Sequence, residues 1–409
     1  MNRKLIALAV AGVFAAPAAL AATSNVEIYG TMSLSVDSVD GGSGAAGDSL
    51  TSKDSERRMR VSSHTSALGF KGTEDLGGGL SAIWQVESLV GMNDKGTEGG
   101  GLIGGRNTFA GLSSKSLGTL TFGLMDTALK LSTGKLDVFT TTQLADYRSV
   151  FSAVSNASIR ANNSVSYVSP SFGGLVFRGT TAALQEEGST RDPHLYSLSA
   201  TYDNGPLFVT LAHEDMKFAR TTGTMFGAAG ASTTSQGTGS NAIFAAGDSE
   251  AEQKNTRLGV GYSFGDLKLG AAWERTKVDV TGTLTPNANF GTATAQSTDR
   301  DGWYLSAAYK LGNATLKAAY SRAGDLEGTS DTGAQQLSAG VDYSLSKRTT
   351  VYGLVTQVSN DANASYSLGG GPASTGTFQS SGGSGLAVVN AAAPGQDPRA
   401  ISVGMIHKF

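Results

Sequence analysis

Residues 400–409, the last ten of the chain, read AISVGMIHKF. In an extended strand, successive side chains point to opposite faces. One face therefore carries Ile401, Val403, Met405, His407 and Phe409, and the other carries Ser402, Gly404 and Lys408. A strand that is apolar on one face, small or charged on the other, and ends on an aromatic residue is typical of a wall between lipid and water. This stretch predicts the closing strand of a transmembrane β-barrel.

The N-terminal residues have the pattern of a secretory signal. Arg3 and Lys4 precede an apolar run from Leu5 to Phe14 and an alanine-rich stretch that ends at Ala22. Basic, apolar and small-residue regions in this order define a cleavable signal peptide. The alternative is a membrane anchor, but the apolar run is shorter than the roughly 20 residues that a spanning helix needs. We predict that residues 1–22 are removed on export and that residues 23–409 form one barrel domain.

The composition excludes several classes of protein. The chain has 34 acidic and 31 basic residues, so we expect no broad basic surface and no nucleic acid partner. It has no cysteine, and its 55 glycines far outnumber its 8 prolines, so no disulfide scaffold is expected. Beyond the signal, no apolar run is long enough for a spanning helix. If the mature chain lies in a membrane, only a closed β-barrel satisfies its backbone hydrogen bonds.

Segments with period-two apolarity recur along the whole chain, and their even number fits a barrel with both termini on the same side. We predict sixteen strands: 25–36, 56–71, 79–90, 104–113, 118–124, 162–169, 173–184, 194–203, 206–218, 253–264, 267–280, 299–310, 314–323, 334–345, 348–358 and 398–409.

The connections between these strands alternate between short and long. Asn204-Gly205, Gly265-Asp266 and Gly312-Asn313 are typical of hairpin turns, because these residues tolerate positive φ. The long connections include 37–55, 91–103, 125–161, 219–252, 281–298 and 359–397, and they are rich in Gly, Ser, Thr and Ala. Short periplasmic turns and long extracellular loops are the asymmetry expected of an outer-membrane barrel.

The alternation also assigns the faces of each strand. In the segment 257–264, the outward face carries Leu258, Val260, Tyr262 and Phe264, and the inward face carries Arg257, Gly259 and Ser263. Small and charged inward residues are incompatible with the dry core of a soluble β-sandwich. The interior of the predicted barrel is therefore expected to hold water.

Several segments carry a resemblance to a known family. They are VEIYG at 26–30, LGFKGTEDLGGGL at 68–80, Gly105-Arg106, LGTLTFG at 117–123, NSVSYVSP at 163–170 and the final Phe409. With these segments the chain resembles the general porins of Gram-negative outer membranes, especially the proteobacterial group related to neisserial porins. The resemblance implies a sixteen-stranded antiparallel barrel, a homotrimer among outer-membrane lipid and lipopolysaccharide, and passive diffusion of small hydrophilic solutes and ions. It implies no cofactor.

The resemblance also implies that the third long loop, here residues 125–161, folds inward and narrows the channel. A loop of this length is unusual unless it packs against something. Its apolar residues offer such packing against the inner wall: Leu131, Leu136, Val138, Phe139, Leu144 and Phe151.

Charges facing each other across the constriction should set the selectivity. On the wall we expect Arg58, Arg60, Arg106 and Arg178. On the loop we expect Asp126, Lys130, Lys135, Asp137, Asp146 and Arg148, although each of these could equally be a solvated loop charge. The family motif Gly-Arg is replaced here by Gly123-Leu124, so one wall cation is missing. The balance predicts a weak preference for anions.

Three alternative functions remain to be weighed. An outer-membrane enzyme such as a lipase or protease would need a base, and the candidates are His64, His194, His213 and His407. We expect His64 to line the pore and His407 to face lipid. A substrate-specific channel would show a ladder of aromatic residues, which Tyr304 and Tyr352 alone do not make. A plugged transporter would need a folded domain before the first strand, where the sequence has none. No cluster predicts a metal.

Overall fold

The computed structural model describes residues 24–41, 57–92, 103–139, 144–152, 160–183, 194–220, 223–224, 244–245, 249–281, 295–364, 366–369 and 395–409. The predicted signal peptide, residues 1–22, and most of the long extracellular connections lie outside these residues.

The described chain is almost entirely antiparallel β-sheet, in which each strand is bonded to its neighbours in sequence and the last strand is bonded to the first. The strands are β1 (Ser24–Asp40), β2 (Arg58–Ser63), β3 (Ala67–Gly77), β4 (Leu80–Leu89), β5 (Thr108–Ser114), β6 (Gly118–Asp126), β7 (Arg160–Val168), β8 (Leu175–Ala183), β9 (His194–Asn204), β10 (Leu207–Arg220), β11 (Gly223–Thr224), β12 (Phe244–Ala245), β13 (Ser249–Phe264), β14 (Leu267–Thr281), β15 (Ala295–Leu311), β16 (Ala314–Ala323), β17 (Ala334–Ser344), β18 (Thr349–Asn360) and β19 (Arg399–Lys408).

These strands form a closed barrel with sixteen positions, as predicted. The short ribbon β11–β12 is separate from the barrel sheet, and β2 and β3 occupy one position because both pair with β1. The predicted second strand, 56–71, was expected to be continuous. It is instead interrupted at residues 64–66 and extends to Gly77. At the interruption the N–H of His64 donates to the carbonyl of Ser33 at 3.0 Å, so the barrel wall stays closed.

Tight turns close the barrel at the end opposite the long loops. Gly205, Gly265 and Gly312 have φ of 59°, 61° and 58°, the left-handed conformation that the hairpin signals predict. The final residue completes the closure, because Gly30 and Phe409 exchange backbone hydrogen bonds at 3.0 and 3.1 Å. A Cβ on Gly30 would lie 2.5 Å from the Phe409 ring, so this position requires glycine.

The two faces of the wall differ as the alternation predicts. Outward apolar side chains such as Leu198 and Val403 are about three-fifths exposed on the isolated barrel, as lipid-facing residues must be, whereas the inward Ser197 is fully covered. The largest buried apolar cluster lies inside the barrel, between β14–β18 and chain segments folded inward from the extracellular end. None of the helices in the described residues is long and apolar enough to span a membrane.

Candidate functional site

We call the connection from β6 to β7, residues 127–159, the inner loop. Its described parts, 127–139 and 144–152, lie inside the barrel. It begins with a short helix, α1 (Ala128–Ser132), whose first turn is capped by Thr127: the Thr127 hydroxyl accepts from the N–H of Lys130 at 3.3 Å. The N–H of Leu129 donates to the hydroxyl of Ser197 at 2.9 Å, which attaches α1 to the wall at β9.

A buried arginine fixes the other side of α1. Arg257 on β13 donates through Nη1 to the carbonyl of Leu129 and to the hydroxyl of Thr133, both at 3.1 Å. Its Nε and Nη2 donate to Glu274 on β14 at 2.8 and 2.5 Å. The Arg257 side chain is fully buried, and Glu274 stands directly opposite it in the strand register. One side chain therefore connects the end of α1 to two strands of the wall.

Glycines in the wall provide room for the middle of the loop. A Cβ at Gly259 or Gly261 would lie 2.8 or 2.9 Å from the methyl groups of Leu136. The carbonyl of Leu136 accepts from the Ser306 hydroxyl at 2.7 Å. These inward glycines let the loop backbone approach the wall closely, a use of glycine that the sequence pattern alone does not separate from flexibility.

The later part of the loop packs through aromatic rings. Tyr147 and Phe151 stand 5.9 Å apart, and the Tyr304 ring of β15 lies 5.4 and 6.1 Å from them. The backbone of Phe151 passes over Gly302, where a Cβ would lie 2.5 Å from the Phe151 oxygen. The predicted packing is found for most apolar loop residues: Leu136, Val138, Phe139, Leu144 and Phe151. Leu131 is the exception, since it is 44% exposed.

Charged groups gather where the inner loop leaves and rejoins the wall. Asp126 contacts Lys130 at 2.7 Å and Arg160 at 3.1 Å. Asn107 accepts from Arg160 Nε at 2.8 Å through its side-chain oxygen and donates to Asp126 at 3.0 Å. Arg106 contacts Glu87, which also accepts from the Tyr29 hydroxyl at 2.9 Å. The structure thus brings the predicted residues Arg106, Asp126 and Lys130 to one region.

Lys130 is the titratable member of this region. Burial lowers its pKa to about 8, although Asp126 beside it acts in the opposite direction, and the nearby cations Arg160 and Arg148 lower it further. Lys130 is therefore a cation at neutral pH that loses its charge under mildly alkaline conditions.

The second strand contributes a separate pair on the wall. Arg60 Nε lies 3.6 Å from the buried carboxylate of Asp37 on β1. His64, expected to line the pore, is only 2% exposed, and its Nε2 lies 2.7 Å from the hydroxyl of Ser35. The backbone of Arg58 lies on β2, but its side chain lies outside the described residues.

The remaining predicted residues are distributed along the loop and the wall. Asp146 and Arg148 pair with each other on the loop at 2.5 Å. Burial would lower the pKa of Arg148, but Asp146 outweighs it and raises that pKa. Burial and then Asp146 raise the pKa of Asp137 to about 7. Lys135 contacts Asp203 close to the 205–206 turn, far along the wall from Arg106. Arg178 is partly exposed on β8.

Sequence reasoning missed three contributors to the site. Arg160 begins β7, two residues before the predicted strand start. The pairing of Arg257 with Glu274 is not part of the sequence prediction, although opposite charges on adjacent inward stripes were its signal. A third contributor is the start of the last extracellular loop, where Tyr366 is fully buried with Arg300 lying 5.5 Å above its ring.

A closed barrel with lipid-type residues outside and a charged, loop-narrowed interior defines a transmembrane channel. The sequence matches the Gram-negative porin family over residues 7–363, and the chain belongs to that family. As such it is a channel of the outer membrane.

Individual relatives agree with this assignment. The chain is 28% identical over 374 residues to outer membrane porin protein 32 of Delftia acidovorans, covering 88% of this chain and 90% of the relative. It is 27% identical over 388 residues to the major outer membrane protein P.IA of Neisseria meningitidis serogroup B, covering 86% and 92%. Among solved structures, the anion-selective porin from Comamonas acidovorans superposes with a TM-score of 0.68 at 24% identity, covering 94% of this chain and 100% of that one.

Proposed function

We propose that this chain is a general diffusion channel with a weak preference for anions, exported by a signal peptide at residues 1–22. The observation that carries the proposal is the packed inner loop: its described parts lie inside the barrel, against the inner wall and beside paired charges. The anion preference is proposed from the guanidinium groups of the wall beside the loop, which are those of Arg60, Arg106 and Arg160. Lys130 and Arg148 are the cations of the loop itself, and these groups pair with the acids Asp37, Glu87, Asp126 and Asp146.

The preference should be weak because these groups pair closely with one another. Paired charges present a dipole to a passing ion rather than a net charge. Arg178 adds a further positive charge: among the described residues it has no acidic neighbour within ion-pair distance. The Delftia relative resembles this chain over most of its length, and the structural neighbour from Comamonas bears the description anion-selective.

The aromatic residues of the wall favour a general diffusion channel over a substrate-specific one. A substrate-specific channel would need aromatic side chains exposed along the lumen, and Tyr304 and Tyr352 are the inward aromatic candidates. Both are nearly covered, with 2% and 4% of their surface exposed. Family membership favours a channel over an enzyme, and the histidines are placed apart: His213 contacts Thr256 on the outer face and His407 contacts Thr349.

The first prediction concerns the sign of the selectivity. In a planar bilayer with a potassium chloride gradient, the zero-current potential should have the anion-selective sign. Arg60→Glu should move it toward cation selectivity, because the change replaces a wall cation with an acid beside Asp37. Arg348→Glu makes the same change in the exposed 345–348 turn and is the control that should move the potential less. A cation-selective parent protein would contradict the proposal.

The second prediction concerns pH. Lys130 is charged below a pKa of about 8 and neutral above it. Raising the pH from 7 to 9 should therefore remove a cation from the lumen and weaken the anion preference, measured as the same zero-current potential. Lys130→Arg keeps its charge through this range and should reduce the pH response, leaving the part that Asp137 contributes as it ionises above a pKa of about 7. An unchanged response in that variant would exclude Lys130 as its source.

We also propose that the chain assembles as a homotrimer, as the family resemblance implies. Trimeric barrels resist detergent until heated, because their interfaces are formed within the membrane. The third prediction is that an unheated detergent extract migrates on a gel well above the 41.7 kDa chain and collapses to the single-chain position on boiling. Migration as a single chain under both conditions would argue for a monomer.

A further inference from the structure

The described start of the last extracellular loop folds back into the barrel. After β18 ends at Asn360, the side chains of Ala364, Tyr366 and Leu368 have no exposed surface. They belong to the same buried cluster as Val358, which lies on the inward face of β18. The side chain of Asn360 fixes the backbone of Tyr366: its Oδ1 accepts from the N–H at 2.7 Å, and its Nδ2 donates to the carbonyl at 3.1 Å. The wall thus determines the position of Tyr366.

Tyr366 lies against Arg300 on β15. Arg300 is on the inward face of that strand, two residues to the extracellular side of Gly302, over which the backbone of Phe151 passes. Nη1 of Arg300 donates to the hydroxyl of Tyr366, and the guanidinium carbon lies 5.5 Å from the centre of the Tyr366 ring. Arg300 retains 4% of its exposed surface. Tyr366 therefore contributes to the cover of this guanidinium, on the extracellular side of the inner loop.

Arg300 has no acid beside it to neutralise its charge. The residue opposite it on β14 is Thr276. Glu274 stands one inward position further along, opposite Gly302, and its carboxylate is bound by Arg257. Within the described part of the chain, no carboxylate lies within ion-pair distance of Arg300. Because arginine keeps its proton in proteins, Arg300 carries a full positive charge. The phenol oxygen and the ring of Tyr366 offset part of its lost hydration.

This arrangement separates the charge of Arg300 from the solutes in the lumen. A guanidinium binds an oxyanion through paired hydrogen bonds, and these require direct contact. The hydroxyl of Tyr366 occupies one of the donors of Arg300, and its ring lies beside the others. Removal of the Tyr366 side chain would leave a cation open to the lumen with no acid to pair with it.

We propose that Tyr366 limits the anion preference of the channel by covering Arg300, and that the uncovered guanidinium binds small oxyanions such as inorganic phosphate. Tyr366 is then a residue that determines specificity, and it acts through Arg300. The proposal rests on the proposed function as a diffusion channel. It depends on the contact between the two side chains and not on which ion the parent protein prefers.

The first test measures the zero-current potential in a potassium chloride gradient. Tyr366→Ala should shift this potential toward anions, whatever its sign in the parent protein. A mere widening of the lumen would act in the opposite direction, because a wider aqueous path screens the wall charges more strongly. The double variant Arg300→Met/Tyr366→Ala should lose the shift. The control Tyr343→Ala removes a tyrosine that is 48% exposed on the outward face of β17, and it should keep the parent potential.

Inorganic phosphate provides a second readout. Added to the chloride solution, phosphate should reduce the chloride conductance of Tyr366→Ala at concentrations about tenfold lower than in the parent, since one charge-assisted contact is gained. Arg300→Lys/Tyr366→Ala keeps the charge without the planar fork, so it should keep the shift in potential and respond more weakly to phosphate. If Tyr366→Ala does not insert, Asn360→Ala gives the same test, because it removes both hydrogen bonds that fix Tyr366.

The possible outcomes separate this proposal from the proposed function. A cation-selective parent whose Tyr366→Ala variant still shifts toward anions would refute the anion preference and support the role of Tyr366. An unchanged potential in Tyr366→Ala would overturn that role. A shift toward cations would also overturn it, and would make the last loop an element that only narrows the lumen. A shift that persists in Arg300→Met/Tyr366→Ala would show that Tyr366 does not act through Arg300.

Discussion

Replacing Arg257 with methionine should release the inner loop and widen the channel. Arg257 is fully buried and holds Leu129, Thr133 and Glu274 at once. Its removal leaves the Glu274 carboxylate buried without its partner, which costs about 3–5 kcal/mol. A loss of that size shifts the equilibrium between docked and undocked loop by a factor of roughly 10² to 10³. Single-channel conductance should rise, and larger sugars should enter liposomes in swelling assays.

The neighbouring strand offers a matched control. Arg275 on β14 is also ion-paired, with Asp299 and Asp301, but its side chain is 48% exposed on the outer surface. Arg275→Met should cost at most about 1 kcal/mol and leave the conductance unchanged. The double variant Arg257→Met/Glu274→Leu should recover much of the docking, because the Glu274 carboxylate is then no longer buried without Arg257. If Arg257→Met conducts like Arg275→Met, the anchoring role is wrong.

Truncating Phe151 to alanine should release the later part of the loop while α1 stays in place. The Phe151 side chain is 1% exposed and packs between Tyr147, Tyr304 and Arg257, whose guanidinium lies 5.4 Å from the ring. Removing such a buried ring costs about 3–5 kcal/mol. We expect a raised and noisier conductance, with a higher size limit for sugars, but an unchanged contact between α1 and β13.

An exposed phenylalanine, Phe172, serves as the control that separates release of the inner loop from a general effect of losing an aromatic ring. Phe172 lies in the 169–174 turn and is 60% exposed. Phe172→Ala should change stability by no more than about 0.5 kcal/mol and leave conductance at the parent level. Cross-linking between α1 and β10, through cysteines at Leu129 and Ala212, which pack together, would report in otherwise parental and Phe151→Ala proteins whether α1 stays docked. Loss of that cross-link in the Phe151 variant would show that the loop docks as one unit.

Strand positions were predictable because burial in a membrane wall imposes a period of two, and each strand here carries enough apolar residues to display it. The turns were predictable because tight hairpin turns need residues with positive φ, and the residues of Asn-Gly and Gly-Asn tolerate that conformation. The interruption at residues 64–66 was missed, although the outward apolar residues shift there from odd positions, Met59 and Val61, to even positions, Leu68 and Phe70. His64 follows the inward parity of Arg60 and Ser62, yet the break places its ring against Ser35 and covers it.

The candidate site was predictable in part. Parity identifies which wall charges point inward, and the family resemblance predicted that loop charges such as Asp126 and Lys130 face them. Parity does not say which partner a charge meets when strands far apart in sequence face each other across a lumen. Arg257 and Leu129 are separated by 128 residues and share one hydrogen bond. The positions of Lys135, Asp137 and Asp146 depend on the course of the inner loop through the barrel, and no local sequence pattern predicts that course.

The sequence alone determined the class of this protein: lipid on one face and water on the other, repeated along sixteen strands, leave a closed barrel as the only arrangement that satisfies the backbone in a membrane. Only the tertiary structure decided where the inner loop lies, which charges it brings together, and that Arg257 on β13 contacts the end of α1. The physical reason is separation along the sequence. Face alternation follows from the geometry of a single strand, whereas these contacts join residues far apart in the chain, which come close together only when the barrel closes.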